Sequence, residues 1–195
     1  MRLWLLVFGL LAGSARAEAG WLTARGRLQP ELRLEAWGGT DSVGVGFVHP
    51  DAAGAGAGLG VEAAWAWRTR TLEVRGTRVW QFSKSRFATG SVTLGGSLYL
   101  VPEGADAGLG PQGGLQLALG GEVFTVDLGL QTGAELFASG LVTRLPQRLQ
   151  VSVNLRVGLW AIGLHLRGGF DVMPGHSFVG RGEAALSVAW FGLAK

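Results

Sequence analysis

The chain has no cysteine and only two lysines, Lys84 and Lys195, and charged residues make up 16% of its 195 residues. The absence of cysteine excludes disulfide bonds, thiolate catalysis, thiolate metal sites and a cysteine-linked lipid anchor. The three histidines lie at positions 49, 165 and 176, a spacing that indicates no metal site. The sequence therefore predicts neither a metal nor a cofactor.

Long hydrophobic runs are also missing after residue 17, so no transmembrane helix is expected. The first 17 residues contain an early Arg2, an apolar run from Leu3 to Leu11 and the small-x-small sequence Ala15-Arg16-Ala17. This order is typical of a secretory signal peptide that is removed after Ala17. The alternative is a membrane anchor, but nine apolar residues are too few to span a bilayer. We expect a single domain over residues 18–195.

The net charge of +3 does not describe a basic surface. Removal of residues 1–17 takes away Arg2 and Arg16, which leaves 15 basic against 14 acidic residues. A nearly neutral domain gives no electrostatic reason to bind nucleic acid. Nucleic acid is therefore not an expected partner.

What the chain has in abundance is alternation of apolar with small or polar residues. In the segment from Gly114 to Phe137, Leu115, Leu117 and Leu119 alternate with small and polar residues, and the apolar positions become even-numbered from Phe124 onward. A period of two indicates β-strands with one apolar face. The change of parity predicts a hairpin with a two-residue turn at Gly120-Gly121 that pairs Leu119 with Glu122.

The same unit repeats along the chain and predicts about ten strands, the first over Ala24 to Trp37 and the last over Phe178 to Phe191. Eight strands is the alternative, if Val43 to Phe47 belongs to a loop and one other boundary shifts. A second tight turn is expected at Trp160-Ala161, and longer loops at 102–111, 138–147 and 173–177. Short turns that alternate with longer loops are typical of membrane β-barrels.

The two faces of the predicted strands differ in a way that bears on their surroundings. One face carries mainly Leu and Val, whereas the other is rich in Gly and Ala and carries almost all of the charges. A soluble barrel, with its apolar face inward, remains an alternative. If the apolar face meets lipid, the lumen is lined by Arg25, Arg27, Glu31, Arg33, Glu35, Glu62, Glu73, Arg75, Asp127, Glu135, Arg148, Arg156, Arg167, Asp171, Arg181 and Glu183.

Aromatic residues lie near the ends of predicted strands, as in the interfacial girdles of membrane barrels. They are Trp37, Trp65, Trp67, Trp80, Trp160 and Trp190. With this pattern the chain resembles small bacterial outer-membrane β-barrel proteins, over almost all of residues 18–195. The resemblance implies an antiparallel up-and-down transmembrane β-barrel in the outer membrane of a Gram-negative cell. It also implies contact with outer-membrane lipid and with the barrel-assembly machinery.

Some small outer-membrane barrels are lipid A deacylases, with a His, a Ser and a Glu near their C-terminal strands. The corresponding candidates here are His176, Ser177 and Glu183. A serine nucleophile needs a histidine within hydrogen-bond reach. The deacylase pattern is His-x-Ser, whereas His176 and Ser177 are adjacent and would point apart in a strand. This departure favours an ordinary Pro-Gly loop.

The sequence thus predicts a non-enzymatic outer-membrane barrel with a structural or narrow-pore role. One form of that role is the membrane-embedded subunit of an envelope assembly for secretion, adhesion or motility, in contact with other envelope proteins. The alternatives are a lipid-modifying enzyme and a soluble exported ligand-binding barrel.

Overall fold

The computed structural model describes residues 32–51, 56–85, 87–104, 106–121, 123–138, 142–172 and 179–192. Nearly all of these residues lie in one antiparallel sheet that closes on itself. The strands are β1 Arg33–Gly39, β2 Ser42–Pro50, β3 Ala57–Ala66, β4 Thr71–Lys84, β5 Ala88–Val101, β6 Asp106–Gly120, β7 Phe124–Gly133, β8 Glu135–Phe137, β9 Val142–Val157, β10 Trp160–Val172 and β11 Val179–Phe191. The predicted signal peptide lies outside the described residues.

The barrel has ten strands because β7 and β8 are two parts of one strand, interrupted at Ala134. Both parts pair with β6 on one side and β9 on the other. Each strand pairs with its neighbours in the chain, and the last strand, β11, pairs with β1 through seven residue pairs from Arg33↔Phe191 to Gly39↔Ala185. The predicted antiparallel up-and-down barrel of about ten strands is therefore confirmed.

The register sets the width of the barrel. Following the paired residues once around the sheet displaces the path by about 12 residues along the chain. For ten strands about 4.8 Å apart this corresponds to a strand tilt of about 40° and a backbone radius of about 10 Å. Side chains that point inward from such a wall meet near the axis, so the interior can be filled by the protein itself.

The exterior of the barrel is apolar and its interior is polar. Leu164, Leu166 and Leu186 are 47%, 53% and 62% exposed, whereas His165 and Ser187, which alternate with them, are 1% and 2% exposed. Most of the buried residues in the described part are polar or charged, and the apolar ones are mainly alanine. This is the reverse of a soluble barrel with an apolar interior, so that alternative is wrong.

The turn at Gly120-Gly121 is longer than predicted. Leu119 pairs with Val126 instead of Glu122, and the Gly121 amide donates to the Phe124 carbonyl at 2.9 Å. Gly120 has a φ of 112°, which glycine adopts readily. The shift is an even number of residues, so the predicted apolar face remains outward despite the wrong register.

The second tight turn also lies elsewhere than predicted. The two-residue turn is Gly158-Leu159, flanked by the pair Val157↔Trp160, and Gly158 has a φ of 61°. A two-residue hairpin requires positive φ, which Gly158 supplies and Trp160-Ala161 would not. Side-chain alternation continues through either position, so the sequence pattern alone does not distinguish them.

Two predicted loops are largely strand. The segment 102–111 contains a short 3-10 turn, Pro102–Gly104, after which β6 begins at Asp106, and the segment 138–147 contains the start of β9 at Val142. Glycine and proline obscure the alternation there, but the backbone still pairs with neighbouring strands. Pro111 lacks an N–H group, yet its carbonyl accepts a 3.0 Å hydrogen bond from the Ala134 amide. The predicted loop at 173–177 lies outside the described residues.

Candidate functional site

The lumen is the candidate site, and one part of it is centred on Arg75 of β4. The Arg75 guanidinium donates through Nη2 to Glu73 Oε1 at 2.7 Å and through Nε to Ser97 Oγ at 3.2 Å. Its Nε is also 3.3 Å from Glu62 Oε1, on β3. Gln112 of β6 donates to Ser97 Oγ at 2.7 Å. Side chains of four neighbouring strands are thereby joined around one buried cation.

Two further ion pairs lie on the opposite wall. Arg148 of β9 binds the Asp171 carboxylate of β10, and Arg148 Nη1 also donates to the Phe170 carbonyl at 2.9 Å. Arg167 Nη2 donates to Glu183 Oε2 at 2.6 Å, and the other oxygen of that carboxylate accepts from Ser42 Oγ at 2.6 Å. These charges are buried but paired, as the low dielectric of an interior requires.

His165 of β10 lies at the centre of a third cluster. Its Nδ1 is 2.8 Å from Ser152 Oγ of β9, and its Nε2 is 2.7 Å from Ser187 Oγ of β11. The same Nε2 is 3.8 Å from Glu35 Oε1 of β1. Gln150 Nε2 donates to Ser152 Oγ at 3.0 Å. The cluster therefore connects four consecutive strands, including the two that close the barrel.

The end of the barrel where β11 terminates is occupied by an aromatic ring between arginines. The Phe191 ring is 4% exposed, with the Arg156 guanidinium 4.2 Å and the Arg33 guanidinium 5.8 Å from its centroid. Such distances allow cation–π attraction. Arg33 also binds the Glu35 carboxylate. Phe191 thus faces the lumen, whereas Trp190, the other aromatic residue at this strand end, faces outward.

Together these clusters fill the lumen at the levels where they lie. Arg75, Glu62, Gln150, His165 and Tyr99 are each 2% exposed or less. Side chains of this size leave no room for water to reach them, and a wall of about 10 Å radius has little interior volume to spare. The geometry is that of a closed or very narrow passage, held by hydrogen bonds and ion pairs between strands.

The predicted lumen-lining charges fall into three groups. The side chains of Arg33, Glu35, Glu62, Glu73, Arg75, Asp127, Glu135, Arg148, Arg167, Asp171 and Glu183 point inward. Arg156 lies at the mouth and is partly exposed. Arg25, Arg27 and Glu31 lie outside the described residues, and so does the side chain of Arg181.

Five of the six predicted interfacial tryptophans are on the outside or in a turn. Trp160, Trp67 and Trp80 are 56%, 43% and 38% exposed, and Trp65 and Trp190 are half-buried. Trp37 is the exception, because it is 3% exposed and points inward. Its parity is that of Arg33 and Glu35, and its paired residue on β2, Gly44, leaves the space its ring occupies. The prediction for Trp37 was wrong, since it used nearness to a strand end and ignored the face.

The catalytic candidates are not brought together in the described residues. Glu183 is bound to Ser42 and Arg167, while His176 and Ser177 lie outside the described part. The Ser152–His165 pair has the composition of a nucleophile and base, but Ser152 is 0% exposed inside the lumen. A serine nucleophile attacks a substrate carbonyl directly, and a substrate cannot reach the buried Ser152 hydroxyl.

The described residues can also be compared with the requirements of a metal site and of a helical membrane span. No group of three or more His, Asp and Glu side chains among them is placed to hold a metal ion. Within the described ranges no helix is long and apolar enough to cross a membrane.

The sequence interpretation did not anticipate how Ser152, Ser187 and His165 combine. The available signal was their position on the polar face of adjacent strands. Only the register places Ser152 and Ser187 opposite the two sides of one imidazole, since His165 pairs with Ser152 on β9 and with Ala185 on β11. A change of two residues in either register would separate them.

The chain is similar to solved structures at low sequence identity. Two solved structures of KdgM porin, one of them in complex with disordered oligogalacturonate, align with 82% of this chain and 98% of theirs. The TM-score of each is 0.46 and the sequence identity is 12%. No protein-family model matches the chain, and neither does any curated protein sequence.

Proposed function

We propose that the protein is an outer-membrane β-barrel whose own polar side chains close its lumen, so that its role in the envelope is structural. The observation that carries this proposal is the filling of the lumen by buried ion pairs such as Arg148–Asp171 and Arg75–Glu73. In each pair the arginine side chain is 3% exposed or less. An open pore would expose such charges to water.

The placement in a membrane is supported by the outer surface. The exposed leucines of the described part lie on every side of the barrel and are 37–62% exposed, for example Leu94, Leu117, Leu155 and Leu186 at 55%, 40%, 49% and 62%. A closed barrel satisfies all backbone hydrogen bonds without an open edge, which lipid requires. The predicted signal peptide is consistent with export, and the outer membrane is where such barrels insert. Lipid and the barrel-assembly machinery are the proposed partners.

A subunit of an envelope assembly is one form of this structural role. A closed barrel transports little by itself, so its turns and loops are the surfaces it offers to other envelope proteins. Secretion, adhesion and motility systems all need membrane-embedded parts of this kind. Co-purification of the barrel with a defined set of envelope proteins from its own membranes supports this form, and repeated recovery of the barrel alone contradicts it.

A narrow pore is the second candidate, and the wall formed by β5 and β6 favours it. The inward positions there carry small or neutral groups, including Ser91, Thr93, Gly114 and Gln116. The charged clusters lie mainly on the other strands. Such a wall leaves space that a small solute could use if the ion pairs moved.

The test is conductance of the full chain in planar lipid bilayers, after a gel has shown a heat-dependent mobility shift of the folded barrel. We expect little or no conductance. The double variant Arg148→Ala with Asp171→Ala removes both charges of one ion pair together, so conductance should rise. The matched control is Leu149→Ala, which truncates an outward residue of the same strand. High conductance of the unmodified protein would contradict a closed lumen and favour the pore.

A lipid-modifying enzyme is the remaining alternative. Of its three candidate residues, only Glu183 is described, and its carboxylate is occupied by Arg167 and Ser42. Loss of a lipid-modifying activity in the variants His176→Ala and Ser177→Ala would establish that alternative. Unchanged activity in both would end it.

A further inference from the structure

The wall of the barrel is higher on one side than on the other. β2 and β3 have 9 and 10 residues, whereas β6 and β9 have 15 and 16. In the ring of ten strands, β2 and β3 lie opposite β9 and the strand formed by β7 and β8. At a tilt of about 40° each residue adds about 2.5 Å along the barrel axis, so the wall is about 25 Å high at β3 and about 40 Å high at β9.

Contacts at both ends close the low side, so β2 and β3 cannot extend much further. The Asp51 amide donates to the Ala57 carbonyl at 2.8 Å, and only residues 52–56 join the two strands beyond this bond. Because a tight hairpin loop itself takes two residues, at most about two positions could be added to either strand. At the other end the Trp67 amide donates to the Asp41 carbonyl at 3.2 Å, where both strands meet their turns.

The outward apolar residues follow the same difference in height. On β9 they extend from Leu145 to Val157, which are 38% and 71% exposed, and Gln147 is the polar outward residue between them. This face is about 30 Å high. On β2 the outward apolar residues extend only from Val43 to Phe47, about 10 Å, and exposed His49 is the next outward residue.

An ion pair on the outer surface lies beside the low wall. Arg78, in the middle of the 14-residue β4, pairs in register with Leu59 of β3, and its Nη1 donates to Asp51 Oδ1 at 3.0 Å. The Arg78 side chain is 39% exposed. A charge on the lipid face of a barrel is costly at the middle of the bilayer and cheap near the headgroups. The pair therefore indicates that the polar boundary lies close to the middle of β4 on this side.

Rigid tilting of the barrel does not match these two sides to one flat bilayer. The apolar band of outer-membrane barrels is about 25 Å high, which the β9 face exceeds and the β2 face does not reach. Tilting brings one end of the low wall nearer to water and moves its other end deeper into lipid. A hydrophobic surface shorter than the bilayer is otherwise accommodated by local thinning of the bilayer.

We infer that the barrel thins the bilayer beside β2 and β3, so that the headgroups of the two leaflets approach each other there. The surface around Val43, Val45 and Leu59 fits short or disordered acyl chains, and the surface of β9 fits long ones. The thinning rests on the proposed membrane barrel, which by itself does not require it.

The test is the depth of nitroxide labels on the full chain, folded in vesicles of dioleoyl phosphatidylcholine. The chain has no cysteine, so the variants Thr40→Cys and His49→Cys each provide one labelling site, at opposite ends of β2. Leu155→Cys, on the outward face of β9, is the matched control. Collision with oxygen reports acyl chains, and collision with a water-soluble nickel complex reports water.

We expect the labels at positions 40 and 49 both to meet the nickel complex, and the label at position 155 to meet oxygen. An unperturbed hydrocarbon core is about 30 Å thick, which is more than the distance of about 22 Å that separates positions 40 and 49 along the axis. Both labels can therefore reach water together only if the bilayer is thinned. Oxygen contact at either end of β2 would indicate a tilted or submerged wall and overturn the inference. A label at position 155 in water would contradict the proposed membrane barrel itself.

A second measurement changes the height of the low face. His49→Leu adds one outward apolar position to β2, and Gln147→Leu makes the matched polar-to-leucine change inside the long face of β9. We expect the unmodified protein to have a lower urea midpoint in dioleoyl than in dilauroyl vesicles, because the longer chains require more thinning. His49→Leu should reduce this difference and Gln147→Leu should keep it. Equal differences in all three proteins would overturn the inference.

Discussion

Arg167 and Glu183 face each other directly across β10 and β11, with paired backbones and a 2.6 Å hydrogen bond from Arg167 Nη2 to Glu183 Oε2. Both side chains are buried, 3% and 7% exposed. In a soluble protein the core is apolar, and such a pair would lie outside it, near the surface. Here it belongs to the core, because the apolar side chains face outward and the polar ones pack against one another inside the barrel.

This pair is suited to a double-mutant cycle. Arg167→Ala removes the cation from the buried Glu183 carboxylate, which keeps its hydrogen bond from Ser42, and should lower the free energy of unfolding by about 3–5 kcal/mol. Removing both charges should cost clearly less than the sum of the two single changes. Urea titration of the refolded barrel in lipid vesicles, followed by tryptophan fluorescence, measures all four proteins. Simple additivity would show that the two side chains do not interact.

A charged residue on the outer surface should lower the free energy of unfolding strongly at mid-strand and only slightly at a turn. Leu166 is the middle residue of β10 and is 53% exposed, while Leu159 lies in the two-residue turn and is 44% exposed. In the proposed membrane barrel the apolar belt meets lipid, so Leu166→Arg should cost about 2–4 kcal/mol and Leu159→Arg about 0–1 kcal/mol. Unfolding in vesicles compares the two variants. Equal costs would argue against a lipid-facing belt at Leu166.

Neighbouring side chains already fill the position that a side chain on Gly163 would need. A Cβ there would be 2.7 Å from Asn154 Oδ1, from His165 Nε2 and from Ser187 Oγ. Gly163→Ala should therefore displace the histidine cluster and lower stability by about 1–3 kcal/mol. The control is Gly129→Ala on β7, where the nearest atoms, of Gln116 and Gln150, are 3.8 Å away. We expect no loss from the control, measured by the same unfolding titration.

The hairpin between β9 and β10 depends on backbone conformation more than on space. A Cβ added to Gly158 or to Gly121 would meet nothing within 4 Å, but only Gly158 has a positive φ, 61°. Gly158→Ala should thus cost about 1–2 kcal/mol through strain, and Gly121→Ala should cost little. Refolding yield into vesicles and the heat-shift midpoint are the readouts. A Gly121→Ala variant as unstable as Gly158→Ala would show that strain is not the cause.

Much of the barrel could be predicted from the sequence because alternation is local. The parity of Leu115, Leu117 and Leu119, and of Phe124 after the turn, assigns each residue to a face without knowledge of the register. The number of strands follows from counting the alternating segments. The exceptions are places where the local pattern fails: Pro111 and Pro146 interrupt it inside β6 and β9, so the pattern predicts loop where the chain forms strand.

The register and the contents of the lumen could not be predicted in this way. Leu119 can pair with Glu122 or with Val126 and face lipid in both cases, so hydrophobicity does not choose between them. The turn geometry chooses, through glycines with positive φ at Gly120 and Gly158. Trp37 shows the same limit, because the room for its ring is made by Gly44 on a different strand.

The sequence alone determined that this chain forms an antiparallel barrel whose strands have one leucine-rich face and one charged face, because a period of two is a property of neighbouring residues. Only the tertiary structure decided which of the inward groups meet. His165 lies between Ser152 and Ser187, and Arg75 between Glu62 and Glu73, because pairing and tilt bring together residues far apart in the chain. These contacts, and not the alternation, join the inward side chains of neighbouring strands.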